Sequence, residues 1–322
     1  VACNYCGCRE ADVIADRTRF EANNVLQCRR CGLVYLPLAE DREAIVSFYA
    51  GEYRRVPNRP VRTPEELHDL EVTCHDAANR LEFIGGHFDI RGKRVLELGS
   101  ASGNLLEGLA GAGAAEATGI ELDADLAGFL TGRGLRVVTR PVEESGFRDE
   151  FDAVVAFHTL EHVYDPMAAV RAVHAALKPG GLFLGEVPNQ DDWRIKIFDD
   201  AVAKRFHYEP SHYYYYSPAT LSEYLTTAGF GDIELTTVER YNSLAQLRNI
   251  LGGTRDAAGI EATLNRHLFP RDRSDEVRLA NPDDAVESQF NRIFAGGVNA
   301  ELMGNCLRWA ARKNSAPQDK SQ

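Results

Sequence analysis

The stretch Val95-Leu96-Glu97-Leu98-Gly99-Ser100-Ala101-Ser102-Gly103-Asn104-Leu105 decides how the rest of the chain is read. It opens as a short apolar strand, turns through a glycine loop and continues as a helix. Its pattern is E-x-G-x-x-x-G-x-L, and not the G-x-G-x-x-G of a dinucleotide-binding turn. Gly99 and Gly103 permit a tight turn and a close backbone approach to a ligand. The helix N-terminus that follows attracts a carboxylate or phosphate. Glu97, at the strand end, repels a pyrophosphate but suits a ligand that carries an ammonium group.

Working outward, the same strand–loop–helix unit repeats. Strands are expected at 94–98, 117–121, 135–139, 151–157, 182–187 and 233–238, with a closing strand at 305–313. Helices are expected from Asn104, from about Ala124 to Gly132, from Asp165-Pro166 and from Ser217-Pro218. The alternation predicts an α/β fold with a doubly wound, mostly parallel, seven-stranded sheet. Right-handed crossovers then gather the loops after the strands at one edge, where ligands bind. Glu121 ends the second strand, where a carboxylate can accept the hydroxyl protons of a ribose. An ammonium partner, a ribose partner and a helix N-terminus together favour S-adenosylmethionine.

The chain has 322 residues, 44% of them apolar and 26% charged, so a sizeable core is available. Lys+Arg 36 against Asp+Glu 48 gives a net charge of −12, which argues against a general polyanion binder. No apolar run is long enough for a membrane helix, and the first residues lack a signal-peptide pattern. The chain is therefore expected to be soluble and cytoplasmic, with no membrane partner.

Five of the seven cysteines lie in the first 31 residues. Cys3-x-x-Cys6 and Cys28-x-x-Cys31 form two knuckles, followed by Gly7 and Gly32, and four thiolates suit tetrahedral zinc. So short a segment cannot bury enough apolar surface to fold alone, which makes a structural Zn2+ reasonable. Cys8 is expected to be a bystander, and Cys74 a small buried hydrophobe. The resulting organisation is a zinc-ribbon module at 1–37, a helical bridge at 38–90 and a ligand-binding core at 91–240. A helical insertion at 241–302, serving as lid or dimer contact, and the last strand and tail at 303–322 complete it. Within the bridge, Thr63-Pro64-x-Glu66 reads as a helix start and Gly85-Gly86 as its stop.

With these motifs assembled, residues 92–240 resemble a class I S-adenosylmethionine-dependent methyltransferase. The matches are ELGSASG, GIELD, FDAVVAFHTLEHVYDP, LKPGGLFLGEVPN and YSPATLSEYLTTAGF, in that order. The Cys pairs and Phe48-Tyr49…Tyr53 ahead of that core are similar to the zinc-containing methyltransferases of sugars and natural products. The resemblance implies zinc at Cys3, Cys6, Cys28 and Cys31. It implies that Glu97, Gly99, Ser100, Ala101 and Gly103 line the methionyl end, that Glu121 holds the ribose and that Leu122 packs on adenine. Val142 and Glu143 would also meet adenine, and Phe157 and His158 would sit beside the sulfonium. Tyr49 and Tyr53 could close over the cofactor. It further implies an E-H-x-x-y-F-S motif whose histidine is an acid/base. Here Ser211-His212-Tyr213-Tyr214-Tyr215-Tyr216-Ser217 keeps the histidine but not the acid, and Glu209 is the nearest substitute.

Methyl transfer to a hydroxyl needs alignment and a base with a pKa near ambient pH. His212, His162 and His158 are the candidate catalytic groups, with His207 behind them. The Tyr213–Tyr216 run either lines an aromatic acceptor pocket or packs in the core. The leading expectation is O-methylation of a small molecule: a sugar, a nucleotide-sugar or a natural-product intermediate. C- or N-methylation of a nucleotide-linked deoxysugar is an alternative. An RNA methyltransferase would need a basic ribbon, yet five arginines against four acids in residues 1–37 leave a net of only +1. A non-enzymatic cofactor-binding assembly module is the last alternative, and a homodimer is left open.

Overall fold

The computed structural model describes residues 2–38, 41–55, 63–73, 76–197, 204, 207–240 and 284–314. Seven strands form the central sheet: β4 (Arg94–Leu98), β5 (Glu116–Ile120), β6 (Arg136–Val138), β7 (Phe151–Phe157), β8 (Leu177–Pro188), β10 (Phe230–Val238) and β11 (Cys306–Lys313). Their order is β10-β11-β8-β7-β4-β5-β6. The pairs from β8 to β6 are parallel, and β11 lies antiparallel to both β8 and β10. The mostly parallel, doubly wound sheet expected from the sequence is therefore present. The order reverses between β4 and β7, and the crevice at their carboxyl ends is where such sheets bind ligands.

Side chains alternate along each strand, so adjacent residues feed opposite layers. Val95, Val155 and Leu184 pack with Ile84, Leu105 and Leu109, carried by helices α3 (Asp76–His87) and α4 (Asn104–Gly111). Leu96, Val154 and Phe183 pack with Val170, Val173, Leu221 and Leu225 on the other side. Those come from α6 (Pro166–Ala176) and α8 (Pro218–Thr227). Asp165 caps α6 through the Ala168 amide, and Ser217 with Thr220 forms a capping box on α8.

In the bridge, Thr63 and Glu66 exchange the capping-box bonds at 3.2 and 2.9 Å, and α2 (Pro64–Thr73) follows. Helix α3 (Asp76–His87) takes up beyond residues 74 and 75, and it ends one residue past Gly85-Gly86, the stop expected from the sequence. Cys74 lies outside the described residues. The fifth core strand, β8, begins earlier than expected, since Lys178-Pro179-Gly180-Gly181 run on as strand after α6. Of the expected insertion, residues 241–283 lie outside the described residues. Helix α9 (Asp284–Ala300) packs on the core by burying Phe294 edge-on to Trp193.

The Cys-rich segment forms β1 (Ala11–Ala15), β2 (Val25–Cys28) and β3 (Val34–Tyr35). A fourth strand joins them from far along the chain: β9 (Tyr214–Tyr215) pairs antiparallel with β3, Val34 against Tyr215 and Tyr35 against Tyr214. No helix among the described residues is long and apolar enough to cross a membrane.

Candidate active site

One cavity of about 630 Å3 opens at the carboxyl edge of β4, β5 and β7, within the size range of small-molecule sites (~300–1,000 Å3). The glycine loop forms its floor. Gly99 and Ser100 donate to the Ile120 carbonyl at 2.9 and 3.1 Å, which ties the loop to the neighbouring strand. Gly99 and Gly103 adopt φ of 71° and 86°, and Ala101 joins them at 45°. A Cβ at Gly103 would meet Leu130 Cδ2 at 2.2 Å, and one at Gly99 would meet Thr159 Oγ1 at 2.7 Å. Both positions thus require glycine for conformation and for space.

Glu97 is buried at the end of β4 and faces the cavity. Glu121 ends β5, and its two oxygens accept the amides of Ala101 and Asp123, each at 2.8 Å. The carboxylate therefore also fixes the glycine loop, and its remaining lone pairs stay available to ligand hydroxyls. Burial pushes its pKa up to about 7, against the opposing pull of those backbone amides. Leu122, Val142 and Glu143 line the same end, and Glu143 is held by Arg42 at 3.4 Å. Arg54 binds Asp123 at 2.8 Å across that end.

Another part of the lining is aromatic and imidazole-rich. Tyr49 and Tyr53 lie on a π turn (Phe48–Glu52) and the 3-10 turn after it, with ring centroids 4.8 Å apart. Tyr49 donates to the Ser211 carbonyl at 2.9 Å and lies 2.8 Å from His162 Nδ1. His162 Nδ1 is itself 2.8 Å from that carbonyl, so the ring is anchored through Nδ1. His212 packs edge-on to His162 at 4.7 Å, and both line the cavity.

His158 also lines it, at the end of β7 beside Phe157, but both its nitrogens are engaged. Nδ1 lies 3.2 Å from Glu161 Oε1, and Nε2 lies 2.8 Å from Glu186 Oε1 and 2.8 Å from Arg240 Nη1. Arg308 and Arg240 pair with Glu186, and Asp76 pairs with Arg240. His158 therefore sits in a network of three carboxylates and two guanidiniums. Burial alone would lower the His158 pKa, but Cys306, Glu161 and Glu186 together hold it well above the ordinary value. Burial would raise Glu186, and the bond and charge from His158 with the two arginines pull it far below.

Of the two alternatives for the tyrosine run, packing holds for Tyr214, Tyr215 and Tyr216, which are buried and do not line the cavity; β9 pairs the first two with the ribbon, and Tyr216 packs in the core. Glu209 pairs with Arg19 at 3.6 Å and is not on the cavity wall. His207 is buried against Tyr208 and Tyr215, outside the cavity, and burial lowers its pKa to about 4. Sequence reasoning missed Arg80, whose guanidinium lies 5.1 Å over the Phe157 ring on the cavity wall. No carboxylate partner of Arg80 occurs among the described residues. It also missed Glu161 and Glu186. The first stood beside His162 in the LEH motif, and nothing local marked the second.

The N-terminal cysteines converge. The Sγ atoms of Cys3, Cys6, Cys28 and Cys31 all lie within 4.8 Å of one another, with Cys3–Cys31 at 3.6 Å and Cys6–Cys28 at 3.5 Å. Tetrahedral zinc thiolate sites put sulfurs about 3.8 Å apart, from a Zn–S bond of about 2.3 Å. Gly7 and Gly32, at φ of 69° and 75°, donate back to the carbonyls of Cys3 and Cys28. Cys8 bonds the Glu10 carbonyl and is not part of the cluster.

A glycine loop between two strand-end acids, on a sheet of this order, defines a class I methyltransferase. Residues 67–235, more than half of the chain, match the family described as a methyltransferase domain, and the chain belongs to that family of S-adenosylmethionine-dependent enzymes. Among curated proteins it is similar to the ubiquinone biosynthesis O-methyltransferase of Methylococcus capsulatus, 38% identical over 35% of this chain and 52% of that protein. The same-named protein of Neisseria meningitidis serogroup C is 35% identical over 39% of this chain and 54% of its own length. That of Bordetella avium is 31% identical over 51% of this chain and 73% of its own. The chain spans about half the length of the first two relatives.

Proposed function

We propose that this protein transfers a methyl group to a hydroxyl oxygen of a small acceptor. The observation that carries the reading is the His162–His212 pair, which lines the same cavity as the glycine loop and sits 4.7 Å ring to ring. The names of the similar proteins support oxygen as the methylated atom. When bound, S-adenosylmethionine supplies a methyl group made electrophilic by its sulfonium.

The chain's residues divide the remaining work. Glu97 suits the cofactor ammonium, and Arg80 suits its carboxylate. Glu121 suits the ribose hydroxyls, while Leu122, Val142 and the backbone at Glu143 border the adenine. His158, engaged at both nitrogens, is a positioning group and not the base. His212 with His162 accepts the hydroxyl proton, which turns a weak nucleophile into a competent one. The wall around that pair is apolar and aromatic: Ile45, Val46, Tyr49, Tyr53, Val163 and Tyr164. Such a wall favours a flat hydroxylated ring of natural-product type over a nucleotide-sugar. The Cys3, Cys6, Cys28 and Cys31 cage suits a structural zinc ion that holds the ribbon in shape.

The test is transfer of radiolabelled methyl from the cofactor to catechol-type phenols and to nucleotide-sugars. Transfer to the phenolic oxygen, lost by ~10²–10⁴-fold in His212→Gln, is the expected result. Label appearing only in the sugars, or undiminished turnover by His212→Gln, would overturn it.

A further inference from the structure

The acid expected beside His212 is absent from its own segment, because Ser211 stands before it and Glu209 is turned to Arg19. The fold brings another. Glu161 is completely buried, at 0% exposure. Its carbonyl accepts the Tyr213 amide at 2.7 Å, which fixes the 160–162 turn against the His212 segment. One carboxylate oxygen of Glu161 and one ring nitrogen each of His162 and His212 lie within 4.8 Å of one another. Oε1 is bonded to His158, and Oε2 is buried with no hydrogen-bond partner among the described residues. A buried carboxylate oxygen left without a donor is costly, so it is kept where a donor arises during function.

We propose that Glu161 is the positioning carboxylate of the histidine pair, stabilising the imidazolium that forms there when the acceptor hydroxyl gives up its proton. This rests on the reading of that pair as the base. The acceptor O–H bond breaks and its proton goes to the imidazole. The acceptor oxygen bonds the methyl carbon, and the C–S bond breaks with its electron pair on sulfur. The proton then leaves to water, and Glu161 takes no part in the bond changes. The groups that face Glu161 are His158 and His162 from its own turn, and His212, Tyr213, Tyr215 and Tyr216 from the loop and β9. Tyr49 faces it from the π turn, and Glu186, Arg240 and Cys306 stand behind His158.

The experiment is nitrogen-15 NMR of the zinc-loaded full chain, labelled at histidine and saturated with S-adenosylhomocysteine, alongside turnover of catechol. In Glu161→Gln, the His212 titration midpoint falls, because the neighbour that favoured its charged form is gone. Turnover falls ~10²–10³-fold, with acceptor KM and S-adenosylhomocysteine affinity within about twofold of wild type. The low-pH limb of the kcat profile moves to lower pH. In a His212→Gln background, Glu161→Gln costs nothing more. Should the Gln variant not fold, Glu161→Asp withdraws the carboxylate by one methylene and gives a smaller shift in the same direction.

A His212 midpoint unchanged in either variant overturns the proposal, even with His212→Gln inactive. Wild-type turnover in His212→Gln overturns the base reading instead, and the NMR midpoint then judges the coupling alone. Selective broadening of the His162 and His212 signals by micromolar Mn2+ would make Glu161 a cation ligand and also overturn the proposal.

Discussion

The Leu36 amide donates to the Tyr213 carbonyl at 3.0 Å, joining the Cys-rich ribbon to the residue beside His212. The contact continues as the β3–β9 pairing, as the Asn4 side-chain bond to the Tyr164 carbonyl at 3.0 Å and as the Tyr5–Tyr224 stack at 4.4 Å. The ribbon is thus one wall of the scaffold that holds the imidazole pair. If the cysteines hold zinc, its loss should unpair β3 from β9 and release His212, leaving the glycine loop in place. Chelation, or Cys28→Ser, is expected to cut kcat more than ~10-fold while S-adenosylhomocysteine affinity changes less than about threefold. Metal analysis by mass spectrometry, calorimetry and turnover on the same sample check this.

Glu121 gives the cofactor site a pH dependence of known sign. Its pKa, raised by burial to about 7, means that the empty site is partly protonated near neutrality. Ribose hydroxyls donate to the ionised form, so S-adenosylhomocysteine binding should release protons near pH 7 and weaken as the pH falls below it. Calorimetry in two buffers of different ionisation enthalpy measures the proton count. Glu121→Gln should bind more weakly and lose the pH dependence. For folding the sign is opposite: a carboxylate with a raised folded pKa contributes stability at low pH that is lost as pH rises through about 7.

The cluster around Glu186 should behave as one structural unit. Glu186→Gln leaves Arg308, Arg240 and His158 without their shared anion, and the expected loss is about 3–5 kcal/mol of stability. Replacing Arg308 by Met should cost less, since Arg240 and His158 still balance the acid. Thermal unfolding followed by circular dichroism ranks the two. Because Glu186 is depressed, its contribution is present above the ordinary carboxylate range and fades as the pH falls.

Gly103→Ala should disable the site locally. The residue has φ of 86°, and its new Cβ would meet Leu130 Cδ2 at 2.2 Å. Strain at such a position costs about 1–3 kcal/mol, and it falls on the loop that forms the cavity floor. Cofactor affinity is expected to fall at least ~10-fold in calorimetry with the fold retained. Gly128→Ala, at a position with open space around its Cβ, serves as the control.

Segments whose identity rests on local rules were legible in advance. The apolar runs at 94–98 and 151–157, the glycine loop and the caps at Asp165 and Ser217 are such rules written into neighbouring residues. The cysteine knuckles belong with them, because two short spacings and two glycines already specify a thiolate cage. Gly85-Gly86 belong there too, since α3 ends one residue beyond them.

What the sequence alone determined was the parallel sheet, its ligand edge and the residue types there, because period, turn chemistry and charge are local properties. The tertiary structure alone decided that Tyr214 and Tyr215 belong to the ribbon and that Glu209 faces away. It also decided that His158 is clamped between Glu161 and Glu186, and that Arg80 reaches the cofactor cavity. Apart from His158 with Glu161, three residues on, these are pairings between residues far apart in the chain, and their partners are chosen by how packed layers exclude water from buried charge, which no local pattern encodes.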